Sequence, residues 1–295
     1  MRLRKFEFFS PVSLAEALDL LERYGAKAKL IAGGTDLLVQ MKSKLVTPEV
    51  LISLAKIPQL AGIGQNGKGI KIGALVKHAQ IENTPLIREK WGLLASAARK
   101  VGSPQIRNWG TIGGNLSNAS PAADTAPPLL VLEAEANLAS KKGERRLPLE
   151  SFFTGPGSTA LAPGEILKEI IVPEIPSASV WTYLKLGRRK SVDLAIASAA
   201  VLLTLEPQTK ICRRARLALG AVAPTAIRAK ETERFLEGKT LDEKTIQEAG
   251  QKAREECRPI SDIRAAAEYR REMVKILVER AVKKSLGIAI PPTGI

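Results

Sequence analysis

The chain has 295 residues, 45% of them hydrophobic and 25% charged, which excludes a disordered polymer and, at ~150 residues per domain, suggests about two domains. Aromatic residues make up only 4%, so burial must rest on Ala, Val, Ile and Leu, and the stacking platforms of single-strand nucleic-acid binders are scarce. Lysine and arginine total 45 against 30 acidic residues, and the resulting net charge of +15 suits an anionic partner: nucleic acid, an acidic protein or a phosphate-bearing cofactor.

The basic residues fall in short groups at 2–5, 141–146, 188–190 and 213–216, without a helix-turn-helix, RNP or KH pattern. The longest apolar stretch, 194–205, is well short of the ~18 residues of a membrane span and reads as buried core. Residues 1–9 lack the apolar region of a signal peptide, so a cytoplasmic location is expected. Cys212 and Cys257 lie far apart, so this chain alone offers neither a disulfide framework nor a zinc or iron–sulfur site.

In chain order, Ser13-Leu-Ala-Glu16 is a capping box opening an amphipathic helix, with Leu14, Ala17, Leu18 and Leu21 on one face and Gly25 as a left-handed stop. Residues 28–32 read as a short buried strand running into Gly33-Gly34-Thr35-Asp36, with helical composition over 37–42 and a further strand over 48–54. Gly62-Ile-Gly64-Gln-Asn-Gly67 matches the dinucleotide pattern G-x-G-x-x-G by letters. An alternating strand over 70–75 follows where that motif needs a helix, so 66–69 reads as a hairpin turn. Thr84-Pro85 predicts an N-cap and a helix continuing to about residue 100, ended by Gly102.

Segment 103–124 holds neither helical nor strand period for long. Its interspersed Ile106, Trp109, Ile112 and Leu116 argue for an ordered functional loop. A hairpin tip at 141–144 and turns at 155–157 and 163–165 precede a strand over 166–172, and 173–176 marks a boundary. Strands over 180–186, 195–205 and 215–222, then helices over 224–236, 241–254 and 265–286, predict a separate sheet with helices on one face. Residues 291–295 read as a loose tail.

Two glycine-rich loops carry the candidate chemistry, Ala32-Gly33-Gly34-Thr35-Asp36 and Thr111-Ile112-Gly113-Gly114-Asn115. Each is a phosphate cradle in type, because glycine pairs let successive backbone N–H groups turn toward an anion. With Thr35, Thr111 and Asn115 as donors, the two could grip a diphosphate from two sides. Asp124 is either a ribose or adenine contact or a turn cap. His78, the only histidine, lies near a helix start and reads as structural; no triad or metal cluster is apparent.

The segments Leu30-Ile31-Ala32-Gly33-Gly34-Thr35-Asp36-Leu37, Gln105-Ile-Arg-Asn-Trp-Gly-Thr-Ile-Gly-Gly-Asn115 and Ala119-Ser-Pro-Ala-Ala-Asp124 resemble the FAD-binding medium subunit of the molybdenum hydroxylases, the family of xanthine dehydrogenase and carbon monoxide dehydrogenase. The likeness continues through Gly164-Glu-Ile-Leu167, residues 185–195, Leu217-Ala-Leu-Gly-Ala-Val-Ala-Pro224 and Tyr269-Arg-Arg-Glu-Met273. It implies an α/β (α+β) chain with a vanillyl-alcohol-oxidase (PCMH) type FAD domain over 1–175, in lobes of about 1–57 and 58–175. A C-terminal α/β domain over 176–288 and a tail over 289–295 would follow. By that resemblance non-covalent FAD lies extended against residues 30–37 and 111–115, with Asp124 at its adenosine end, Leu167 and Lys185 as further contacts and Leu194 approaching the flavin ring.

The resemblance also implies partners: a molybdopterin-binding large subunit and a [2Fe–2S] small subunit, assembled as a dimer of heterotrimers. Electrons would pass from the clusters through FAD to an acceptor, with no side chain of this chain acting as acid or base. Thr35-Asp36 stands where carbon monoxide dehydrogenases of the best-known type carry His-Ser, which leaves CO unsupported as the substrate. The cysteine-bearing insertion of hydroxybenzoyl-CoA reductases is missing. A self-contained FAD oxidoreductase and a basic RNA-binding protein stay open as alternatives.

Overall fold

The computed structural model describes residues 3–189, 192–209 and 211–289; the tail expected at 291–295 lies outside the described residues. The chain opens with strand β1 (Glu7–Phe9), helix α1 (Leu14–Tyr24), strand β2 (Ala28–Ile31), helix α2 (Leu37–Lys42) and strand β3 (Val50–Ser53). The strands form a parallel sheet in the order β1-β3-β2. Ser13 accepts the Glu16 N–H at 3.2 Å, while the Glu16 carboxylate reaches back one residue further than a standard box, to the Val12 N–H at 2.9 Å. Gly25 stops α1 at a φ of 49°.

Next come β4 (Ile63–Asn66) and β5 (Gly69–Gly73), a hairpin with Gly67 at a φ of 59°. Six short helices follow: α3 (His78–Asn83), α4 (Pro85–Lys90), α5 (Gly92–Ala98), α6 (Pro104–Trp109), α7 (Ile112–Ser117) and α8 (Ala126–Val131). Then β6 (Glu135–Ser140), β7 (Gly143–Pro148), α9 (Leu149–Phe152), the β8 (Phe153–Gly155) and β9 (Ser158–Thr159) pair, and β10 (Ile166–Val172) complete an antiparallel five-stranded sheet in the order β4-β5-β10-β6-β7. The last strand thus lands at the centre, where Ile166, Leu167, Ile170, Ile171 and Val172 are buried and the interrupting Lys168 and Glu169 are half-buried.

Two sequence expectations fail here. The helix over 85–100 is broken at Trp91, whose indole N–H is drawn off to the Pro173 carbonyl at 2.7 Å. Thr84 does not cap it, because its hydroxyl donates backwards to the Gln80 carbonyl. The supposed loop at 103–124 contains α6 and α7, opened by Ser103 and Thr111, which accept the N–H groups of Ile106 and Gly114. Each helix is six residues long, too short to display a helical period.

The remaining strands, β11 (Ser179–Leu186), β12 (Ala197–Leu205), β13 (Cys212–Gly220) and β14 (Ile227–Arg228), form an antiparallel sheet in sequence order. Helices α10 (Lys230–Leu236), α11 (Glu243–Glu256) and α12 (Ala267–Ser285) follow; α12 packs on β11 and β12, and α10 on β13. Residues expected to start a helix at 224 instead supply edge strand β14, paired with Ala218 and Leu219. Ala199, Val201 and Leu203 face the helices, whereas Ala200 and Leu202 join the core of the preceding sheet and α8. Burial on both faces explains why 194–205 reads as a continuous apolar run.

One buried guanidinium holds the end of this sheet. Arg270 of α12 donates to the carbonyls of Ile196 at 2.6 Å and Ala221 at 3.1 Å and to Asp262 at 2.7 Å. Arg270→Met leaves those acceptors without their donor, and the expected loss is about 3 kcal/mol, measured as a lower urea midpoint at unchanged m-value.

Candidate functional site

After β2 the backbone turns through Ala32 to Asp36 and enters α2, with Gly34 at a φ of 72°, the left-handed region that favours glycine. Among the described residues, no backbone acceptor takes the N–H groups of Gly33, Gly34, Thr35 or Asp36. This turn is an open row of donors. The second loop is not: Ile112 and Gly113 donate to Val76 and Ala74, each at 2.9 Å, Gly114 to the Thr111 hydroxyl at 3.1 Å and Asn115 to the Thr111 carbonyl at 2.9 Å. Its donors are therefore spent on capping α7 and joining it to β5, which corrects the expectation of two equivalent cradles. What it offers a ligand is side chains, including the Asn115 amide, whose oxygen already accepts the Thr125 hydroxyl at 2.6 Å.

Glycine also lets the loops meet. A Cβ on Gly33 would lie 2.0 Å from the Trp109 carbonyl oxygen, and one on Gly113 would lie 2.4 Å from Ala74 Cβ. The approach closes a cavity of about 470 Å³, a size typical of small-molecule sites. Fifteen of the seventeen residues singled out from sequence line it: residues 30–37, Thr111, Gly113, Gly114, Asn115, Asp124, Leu167 and Leu194. Ile112 does not, being buried in the core, and Lys185 stops short of it.

The Lys185 ammonium donates to Asp124 Oδ2 at 2.7 Å and to the Lys100 carbonyl at 3.0 Å, while the Tyr183 hydroxyl donates to Asp124 Oδ1 at 2.8 Å. Burial pushes the Asp124 carboxyl up, against the pull of Lys185 and Tyr183; burial and Asp124 together raise Tyr183 well above the usual phenol range. Lys185 thus acts on the cavity through Asp124. Both its donors stand on β11, so the C-terminal sheet holds this wall in place.

Sequence reading missed Leu54, Leu75, Val101, Gly102, Ile106 and Val192, which also line the cavity. They are ordinary apolar or turn residues with no local signal. Val192 stands at a φ of 53° with its N–H donating to the Gly102 carbonyl at 3.2 Å, and Asp193 accepts the N–H groups of Arg188 and Arg189 behind it. His78 is buried against the same cavity, its pKa lowered to about 4 by burial and, secondarily, by Arg107. Among the described residues no cluster of His, Cys, Asp and Glu suits a metal ion. Around Gly62 and Gly64 an added Cβ would meet nothing within 4 Å, so no close approach there requires glycine.

An open N–H cradle beside apolar walls is the donor set of a dinucleotide site. A family model described as FAD binding domain in molybdopterin dehydrogenase matches residues 4–175, and one described as CO dehydrogenase flavoprotein C-terminal domain matches 182–285. The carbon monoxide dehydrogenase medium chain of Hydrogenophaga pseudoflava is 37% identical over 278 residues, spanning 94% of this chain and 96% of that one. The 6-hydroxypseudooxynicotine dehydrogenase complex subunit alpha of Paenarthrobacter nicotinovorans is 35% identical, spanning 99% and 98%. A solved carbon monoxide dehydrogenase from H. pseudoflava matches at a TM-score of 0.94 and 36% identity, over 97% of this chain and 99% of its counterpart. The molecule is a flavoprotein of the vanillyl-alcohol-oxidase type, with an α/β C-terminal domain added. It belongs to the family of FAD-binding subunits of molybdopterin dehydrogenases, and is an oxidoreductase subunit whose cofactor is FAD.

Two expectations follow from the geometry. Gly33→Ala drives a methyl group into the Trp109 carbonyl and abolishes flavin retention, whereas Gly62→Ala keeps full flavin content; absorbance of the purified variants at flavin wavelengths distinguishes them. The depressed His78 pKa makes the unfolded chain bind a proton that the native chain refuses as pH falls below 6.5. His78 therefore lowers stability between pH 6.5 and about 4, by up to about 3 kcal/mol, and His78→Gln flattens that slope in urea titrations run across the interval.

Proposed function

We propose that this chain is the electron-transfer subunit of a molybdenum hydroxylase complex. FAD accepts electrons from the [2Fe–2S] clusters of a small partner subunit, supplied in turn by a molybdopterin-binding large subunit, and delivers them to an acceptor. The observation that carries this reading is the row of unspent N–H groups from Gly33 to Asp36 in a cavity where, among the described residues, no group of His, Cys, Asp and Glu suits a metal ion. The bound flavin supplies the redox chemistry, and the chain's part is to bind and orient it.

In this reading the residues 33–36 turn holds the diphosphate, with the Thr111 hydroxyl and Asn115 amide on its other side. Asp124, fixed by Lys185 and Tyr183, faces the adenosine end beside Leu167. Val101, Ile106 and Leu194 provide apolar contact for the ring end and keep water from it. Relatives of near-equal similarity, 37% and 35% identical along nearly the whole chain, are named for unlike substrates, carbon monoxide and 6-hydroxypseudooxynicotine. That pattern supports placing substrate oxidation in another subunit. Assembly as a dimer of heterotrimers in the cytoplasm belongs to the same proposal. Among the described residues no helix is long and apolar enough to cross a membrane.

The purified chain is expected to be yellow and free of iron and molybdenum. Dithionite bleaches its flavin, whereas CO, purines and aldehydes do so only after the partner subunits are added. Association with those partners slows as salt rises, because part of the +15 charge serves docking. Turnover of any such substrate by the chain alone would replace this reading with a self-contained oxidoreductase.

A further inference from the structure

His78 opens α3, where its backbone N–H donates to the Gly110 carbonyl at 3.1 Å. Its side chain is 1% exposed yet lines the cavity. The ring's Nδ1 is enclosed and has no hydrogen-bond partner. The opposite edge faces the cradle: a methyl group on Gly110 would meet His78 Cδ2 at 3.2 Å and the Thr35 hydroxyl at 3.5 Å, so imidazole and hydroxyl flank one gap over Gly110. An enclosed polar atom without a partner costs roughly 1–3 kcal/mol, a cost that an aliphatic side chain filling the same space avoids.

Resting on the function proposed above, we infer that His78 is a binding residue for FAD, donating a hydrogen bond from Nε2 to an acceptor atom of the cofactor beside the first glycine turn. A neutral imidazole carries one proton. With no acceptor near Nδ1, the proton sits on Nε2, next to Cδ2, which borders the gap over Gly110 that the Thr35 hydroxyl borders from another side. Burial and the Arg107 guanidinium keep the ring uncharged at neutral pH. Arg107 is itself engaged, with Glu82 at 2.8 Å and the Val101 carbonyl at 3.2 Å, so it does not compete for the same ligand atom. The pairing of a hydroxyl and a neutral N–H across Gly110 extends the backbone donors of residues 33–36 with two side chains from different segments.

The test compares the full-length wild-type chain with His78→Leu, His78→Met and His78→Gln. FAD affinity is read by flavin fluorescence titration of the apoprotein, and stability by thermal unfolding without FAD. Both apolar variants are expected to unfold no earlier than wild type, since they remove the unpartnered nitrogen, yet to bind FAD about tenfold more weakly, one hydrogen bond's worth. His78→Gln, which can place an amide N–H near the Nε2 position, is expected to stay within about threefold of wild type. Wild-type affinity in whichever apolar variant folds, or a Gln variant as weak as they are, overturns the His78 assignment alone. A wild-type chain without FAD affinity overturns the functional reading and takes this assignment with it.

Discussion

The arrangement depends on a backbone contact that only glycine permits. Gly33 lies so close to the Trp109 carbonyl that no side chain fits between them, and Gly113 lies as close to Ala74. Through the first contact the β2–α2 turn abuts the α6–α7 turn. Through the second, α7 is seated on the end of β5. Two glycine pairs that look alike as sequence therefore divide the work: one keeps its N–H groups for a ligand, and the other commits them to packing.

Around this contact the charged residues serve support more than chemistry. Asp124 is buried with Lys185 and Tyr183, and breaking such a pair leaves an uncompensated charge far from water. It ties β11 to the loop that forms one cavity wall. Further out, Glu133 accepts Arg214 and Arg216, each at 2.8 Å, making a second junction between the C-terminal sheet and the preceding core. The C-terminal sheet, whose strand β12 is buried on both faces, thereby stiffens a binding site that its strands do not themselves line.

Besides Asp36, Asp124, Asp193 and His78, the cavity wall offers backbone donors, hydroxyls, an amide and apolar surface. The backbone donors, hydroxyls and amide can hold a cofactor without exchanging protons near neutral pH. The low pKa of His78 fits that description, since a ring that stays neutral can donate a hydrogen bond without adding a charge for the reduced cofactor to answer.

What the sequence by itself determined is the content written in neighbouring residues. The Ser13 cap, the Gly25 stop, the hairpin at Gly67, strand β10 and the two glycine loops all follow from local period and turn chemistry, and the family likeness from motifs spread along the chain. Only the tertiary structure decided where donors and charges found their partners. It broke the helix at Trp91 because an indole N–H had a carbonyl to reach on Pro173. It made an edge strand of Ile227–Arg228 because β13 offered a ladder. It filled the donors of the second loop from Val76, Ala74 and Thr111, turned Lys185 onto Asp124, buried Ile112 and brought His78 to the cavity. Hydrogen-bond partners distant in sequence leave no periodic trace in either segment, so their choice becomes visible only when the chain has folded.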